Sequence, residues 1–163
     1  MKIKNLITII LLSFILTSCE KDDFCLQETP KTPKLILRFY DFVNKDELKQ
    51  VKYLSVWAEG KDTLKNYRSV TLDSIALPLN TLDSKTVYHL KMNAIDGSIS
   101  SNIINTITIK YNTEDVFISR SCGFKTIFNE VVITSDNGWF LDFSPTSLNN
   151  ITNEFKAHVK IHF

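Results

Sequence analysis

Residues 131–143 read VVITSDNGWFLDF, and this stretch carries the strongest local structural signal in the chain. Two runs of β-favouring residues, 131–134 and 139–143, flank Asp136-Asn137-Gly138. Asn-Gly readily adopts the positive φ angles of a two-residue hairpin turn, and β-branched and aromatic residues favour strands. The stretch therefore predicts a β-hairpin. Its acidic and amide side chains are better explained as turn residues than as a calcium-binding loop, because the ligand spacing of an EF-hand is absent.

The same strand pattern continues on both sides of this hairpin. Runs that are rich in β-favouring residues, or that alternate between apolar and polar residues, lie at 35–40, 53–58, 74–79, 86–94, 103–111 and 157–163. Only 46–52 and 148–155 look helical, and both are short. Many short strands separated by turn residues are typical of an antiparallel sandwich or barrel. We expect an all-β fold, a single antiparallel β-sandwich (immunoglobulin-like or similar), over residues 34–163.

The N-terminus has the parts of a secretory signal. Lys2 and Lys4 precede an almost wholly apolar run over 6–16, which is much shorter than the roughly 20 residues of a membrane-spanning helix. Leu16-Thr17-Ser18-Cys19 then resembles the lipobox of bacterial lipoproteins, in which a peptidase cuts before the cysteine and the sulfur carries a diacylglycerol. We expect 1–18 to be a cleaved signal peptide and Cys19 to be lipidated. A buried N-terminal helix is the alternative.

Residues 19–33 are predicted to be the lipidated cysteine and an extended polar tether. The four residues after Cys19 are Glu20, Lys21, Asp22 and Asp23, and they resemble the surface-export signal of Bacteroidota lipoproteins. This resemblance implies a lipid-anchored protein of the outer membrane that faces outward. An anchor that faces the periplasm is the alternative.

Two cysteines, Cys25 and Cys122, remain after Cys19 is assigned to lipid. Exported proteins fold in an oxidising compartment, where thiols tend to pair. We therefore predict a Cys25–Cys122 disulfide, closing a loop of about 100 residues, for which chain entropy gives at most about 4.7 kcal/mol. A redox-active pair is the alternative, but the Cys-X-X-Cys spacing that lowers a thiol pKa is absent.

Composition and spacing argue against several kinds of chemistry. The formal net charge is +1, without a strong basic cluster, so no nucleic-acid partner is expected. Only four glycines are present, and none belongs to a serine-nucleophile turn or a phosphate-binding loop. His158 and His162 share a strand face with Lys160 between them, and a cation there opposes metal binding. We expect a solvated face there and at His89, with no metal, cofactor or catalytic residue.

Two weaker patterns concern sugars. Asp62-Thr63-Leu64 and Asp73-Ser74-Ile75 resemble the tripeptides that carry O-glycans on exported Bacteroidota proteins. Trp57 and Trp139 could form a sugar-stacking platform, because tryptophan combines an apolar body with a polar tip, although core packing is the better interpretation.

Two blocks of the sequence contain the cysteines of the predicted disulfide. One runs from Cys25 through Pro30 and Pro33 to residues 35–41, and the other covers 119–128 around Cys122. Together they resemble a family of uncharacterised Bacteroidota lipoproteins. The resemblance agrees with the disulfide and implies no known activity, ligand or functional residue.

The sequence indicates where the protein acts better than what it does. We expect a non-enzymatic domain, held on a membrane through the lipid on Cys19, that binds or supports an envelope protein or glycan partner. The alternatives are an accessory subunit of an outer-membrane assembly and a small envelope hydrolase.

Overall fold

The computed structural model describes Cys25, Thr29 and residues 31–93, 103–136 and 138–163. The predictions for residues 1–18, for Cys19 and for Glu20, Lys21, Asp22 and Asp23 lie outside these residues. Within them the fold is built of β-strands, as predicted. The strands are β1 (Leu35–Tyr40), β2 (Val51–Ala58), β3 (Val70–Leu72), β4 (Ser74–Leu77), β5 (Lys85–Met92), β6 (Ile103–Ser119), β7 (Gly123–Ser135), β8 (Asp142–Ser144), β9 (Ser147–Ile151) and β10 (Val159–His162).

The strands form two sheets, with the orders β4-β1-β10-β8 and β3-β2-β5-β6-β7-β9. The pairs β1–β4, β8–β10, β2–β5, β5–β6 and β7–β9 are antiparallel. β1 and β10 are parallel, with Leu37 opposite Val159. The predicted β-sandwich is thus confirmed, and the parallel pair is an addition to it.

Strand alternation explains the core between the two sheets. In β5 and β6 the apolar residues of the alternating pattern include Tyr88, Leu90, Ile107 and Ile109, and all four are buried. They join one apolar cluster with residues of the smaller sheet, including Phe39 of β1, which is fully buried. Burial of side chains from both sheets in a common cluster is what holds a sandwich together.

The hairpin predicted over 131–143 is wrong. β7 pairs with β6 and β9 in the larger sheet, whereas β8 pairs with β10 in the smaller one. Gly138 therefore lies in a connection between sheets, and Asn137 is outside the described residues. Gly138 has no positive φ, but a methyl group on it would come within 2.5 Å of the Ile104 carbonyl oxygen. Glycine is required there because another strand's backbone approaches closely, and not because of a turn.

The two segments that looked helical are not helices. The segment 46–52 contains a turn and the start of β2, and 148–155 contains most of β9. A single 3₁₀ turn, Lys65–Tyr67, is the helical element that the structure describes.

The chain divides into two compact units. The described residues of the smaller unit are Cys25, Thr29 and Phe117–Phe124. The segment Phe117–Phe124 consists of the end of β6, the turn and the start of β7. The larger unit contains the described residues from 31 to 116 and from 125 to 163, and with them both sheets. The two units are described separately below.

Candidate functional sites

A disulfide between Cys25 and Cys122 organises the smaller unit. The Cα atoms of the two cysteines are 4.9 Å apart, within the usual range for such a bond, and the pair is the one that the sequence predicts. Thr29 lies beside the bond, with its Oγ1 3.6 Å from the Sγ of Cys122. The backbone N–H of Cys122 donates to Ser119 Oγ at 3.1 Å, which fixes the turn that carries the cysteine.

Two phenylalanines, Phe117 and Phe124, flank this turn in sequence. We call residues Phe117–Phe124 the hairpin end. Phe117 is 56% exposed and Phe124 is 67% exposed, and their rings form an edge-to-face pair with centroids 5.3 Å apart. Gly123, between the turn and Phe124, has a φ of +70°, which glycine adopts without strain. An exposed aromatic pair on a disulfide-held turn is a candidate contact surface.

The larger unit contains a polar groove beside the start of β5 and the middle of β6. One cavity there, of about 610 Å³, is lined among others by Asp83, Lys85, Lys110, Tyr111 and Glu130. A second cavity of about 510 Å³ shares Asp83 and Lys85 with it. We call the first cavity the lysine groove. Lys85 and Lys110 are direct cross-strand partners in it, a like-charge arrangement that costs stability when nothing anionic lies between the two ammonium groups.

Tyrosine and threonine side chains with hydrogen-bonded hydroxyls line both cavities, Tyr111 the first and Thr86 and Tyr88 the second. Tyr111 donates its hydroxyl hydrogen to the Asn80 carbonyl at 2.8 Å and receives one from Thr86, while Tyr88 donates to the Pro78 carbonyl. Burial raises the pKa of Tyr88 to about 12 and raises the pKa of Tyr111. Both side chains are therefore neutral donors at physiological pH, which suits them to holding structure and binding polar groups rather than to nucleophilic attack.

The histidines differ from the solvated faces that the sequence predicts. His162 is 5% exposed, so the prediction is wrong for it. It is buried because β10 is an inner strand of its sheet and the His162 ring lies 5.8 Å from the ring of Tyr40.

His158 is half-buried and accepts a hydrogen bond from the backbone N–H of Ile36 at 2.9 Å. Burial lowers the pKa of His158, which favours the neutral ring that can accept this bond. His89, also half-buried, stacks on Trp57 with ring centroids 5.4 Å apart.

The tryptophans do not form one sugar platform. Trp139 is 4% exposed, packs against Phe39 and Phe163, and donates its indole N–H to the Leu90 carbonyl at 3.0 Å. Trp139 is a core residue, whereas Trp57 is half-buried against His89.

The two tripeptides that resemble glycosylation sites differ in accessibility. Asp62 is exposed and Thr63 half-buried, whereas Ser74 lies within β4 and donates to the Leu37 carbonyl at 3.2 Å. The Asp62-Thr63-Leu64 tripeptide is the more accessible of the two.

Neither a metal-ligand cluster nor a membrane-spanning helix lies in the described part of the chain. Within the described ranges, no three His, Cys, Asp or Glu side chains are grouped closely enough to hold a metal ion. The part of the chain that the structure describes contains no helix long and apolar enough to span a bilayer.

Fold and sites together define a small two-sheet β-sandwich with a disulfide-held hairpin end and a polar groove. Over residues 53–163 the chain matches the model of a family of unknown function, DUF6452, and it belongs to that family. The match includes the block around Cys122 but not Cys25. No curated protein and no solved structure matches the chain.

Proposed function

We propose that this protein is a bacterial envelope lipoprotein, anchored through lipid on Cys19, whose β-sandwich binds an acidic envelope partner and performs no reaction itself. The pairing of the cysteines carries the anchor proposal. Cys25 and Cys122 are bonded to each other, so Cys19 has no cysteine of this chain left to pair with. Cys19 follows a short apolar run and is the last residue of the lipobox-like tetrapeptide, where a lipidation enzyme would use its sulfur.

The lysine groove supports the binding role. Its two carboxylates accept hydrogen bonds from neutral neighbours, Asp83 from the Ser84 N–H at 2.7 Å and Glu130 from Asn112 at 2.7 Å, and among the described residues neither forms an ion pair with Lys85 or Lys110. Lys85 and Lys110 face each other across the strand pair. A carboxylate, sulfate or phosphate between the two lysines would relieve their repulsion. A protein or glycan that presents acidic groups is therefore the partner that the groove fits, at the outer face of the outer membrane, as the acids after Cys19 suggest.

Replacing Cys19 with alanine tests the anchor. The Cys19→Ala variant is expected to lose incorporation of a labelled fatty acid and to leave the membrane fraction, because the thiol that carries the lipid is gone. Mass spectrometry of the mature N-terminus and fractionation of cells measure this. Ser13→Ala, which leaves the apolar run and the cysteine intact, serves as the control and is expected to behave like the wild type.

A Cys19→Ala protein that is labelled and sediments with membranes as before would contradict the anchor. The same cells report orientation: protease added to intact cells is expected to remove the domain. Replacing Lys21, Asp22 and Asp23 with alanine is expected to protect it. Protection of the wild type would place the domain on the periplasmic side instead.

A photoreactive residue in the lysine groove tests binding. Placed at Ser84, which lines the groove, it is expected to give a discrete adduct in living cells. That adduct should disappear when Lys85→Ala and Lys110→Ala are added, because the partner's acidic groups lose their counter-charges. The same probe at Phe155, which is 94% exposed, is the control for random collisions. An adduct that survives the loss of both lysines would rule out this mode of binding.

A further inference from the structure

The hairpin end has an exposed apolar surface that the binding role proposed for the lysine groove does not use. Phe117 and Phe124 leave more than half of each side chain exposed, and they touch each other edge to face. Between them run Ile118-Ser119-Arg120-Ser121-Cys122-Gly123, a segment with one cation and no acid. Exposed phenylalanine rings can bury their apolar surface at the boundary between lipid headgroups and acyl chains, while polar groups beside them stay among the headgroups.

The disulfide limits how far this surface can move from the lipid anchor. Cys25 is six residues beyond Cys19, and a fully extended chain covers about 20–22 Å over that distance. The Cα atom of Cys122 lies 4.9 Å from that of Cys25, so it stays within about 27 Å of the Cys19 Cα atom in any conformation of the tether. By comparison, the chain alone would give β1 a tether of 16 residues, from Cys19 to Leu35, or about 53–58 Å.

We propose that Phe117 and Phe124 form a second membrane contact, inserting their rings into the bilayer surface next to the lipid on Cys19. This inference rests on the proposed lipid anchor. The short connection holds the rings at a high effective concentration near the bilayer. Even a weak affinity of the rings for the bilayer surface then gives a large inserted fraction. The disulfide thereby orients the protein, with the hairpin end facing the lipid.

Tryptophan fluorescence of the full-length lipidated protein tests the contact. Phe117→Trp and Phe124→Trp proteins are reconstituted into phosphatidylcholine–phosphatidylglycerol vesicles whose acyl chains carry bromine near the headgroup. The added emission is expected to shift to the blue and to lose most of its intensity relative to vesicles without bromine. Phe155→Trp is the matched control, since Phe155 is 94% exposed and lies outside the hairpin end, and its emission is expected to stay unquenched. Trp57 and Trp139 give the same background in every variant.

Flotation of the vesicles separates the two proposals. Wild-type protein that carries no lipid and does not float with the vesicles contradicts the anchor and the membrane contact together. Protein that floats, but whose hairpin-end tryptophans are quenched no more than Phe155→Trp, overturns the membrane contact alone. Tryptophans shielded from acrylamide yet insensitive to bromine would show that a protein, or a second copy of this chain, covers the rings, and would overturn it equally.

Discussion

The Cys25→Ser, Cys122→Ser double variant is expected to have a free energy of unfolding lower by about 2–5 kcal/mol, the usual loss when a native disulfide is removed. The bond joins residues 97 apart in sequence, so its absence lets the unfolded chain explore many more conformations. Both cysteines are replaced so that no unpaired thiol remains to form dimers.

Urea denaturation of the double variant and of reduced wild type measures this effect. The two proteins are expected to unfold at the same lower urea concentration, since both lack only the covalent bond. Ser121→Ala, next to the cysteine in the exposed turn, is the control and should unfold close to the oxidised wild type. A double variant as stable as the oxidised protein would show that the bond does not restrict the unfolded chain as described.

Asn105→Ala is expected to cost about 2–4 kcal/mol of stability, because groups left unpaired in a buried site each cost about 1–3 kcal/mol. Asn105 is fully buried in β6. Its Oδ1 accepts a hydrogen bond from the Phe140 N–H at 2.8 Å, and its Nδ2 donates to Ser135 Oγ and to the Asp136 carbonyl, each at 3.0 Å. The side chain thus fastens the connection by which the chain passes from β7 to β8.

Asn112→Ala is the matched control on the same strand. Asn112 is exposed and donates to Glu130 at the surface, so its loss is expected to change stability by no more than about 0.5 kcal/mol. Thermal and urea unfolding compare the two variants directly. Equal stabilities for Asn105→Ala and Asn112→Ala would mean that the buried amide does not hold the connection.

The period of two along the strands was enough to predict much of the fold. Ile107 and Ile109, which alternate with polar residues in the run 103–111, are both buried in β6. Pairing was harder to predict, because a short-range signal does not contain it. Asn137-Gly138 has the composition of a tight turn, but in the fold the glycine is needed where it meets Ile104 and Asn105 of another strand.

The sites show the same division between local and long-range information. The disulfide could be predicted by counting cysteines, because only two remained for one bond. The lysine groove could not, because Lys85 and Lys110 are brought together by the register of β5 on β6. His162 was predicted to be solvated because it shares a strand face with the cation Lys160, yet Tyr40, on the adjacent strand, packs against its ring.

The parallel pairing of β1 with β10 affects the time at which the protein can fold. Ile36 and His158, which hydrogen-bond to each other at this pair, are 122 residues apart, and a ribosome makes β1 first. Until β10 has been synthesised, Leu35, Leu37 and Phe39 lack one of the two neighbouring strands that cover them. Contacts of such long sequence separation slow folding and prolong the exposure of apolar strands to aggregation. The apolar side chains of β1 therefore stay partly uncovered until β10 is available to pair with it.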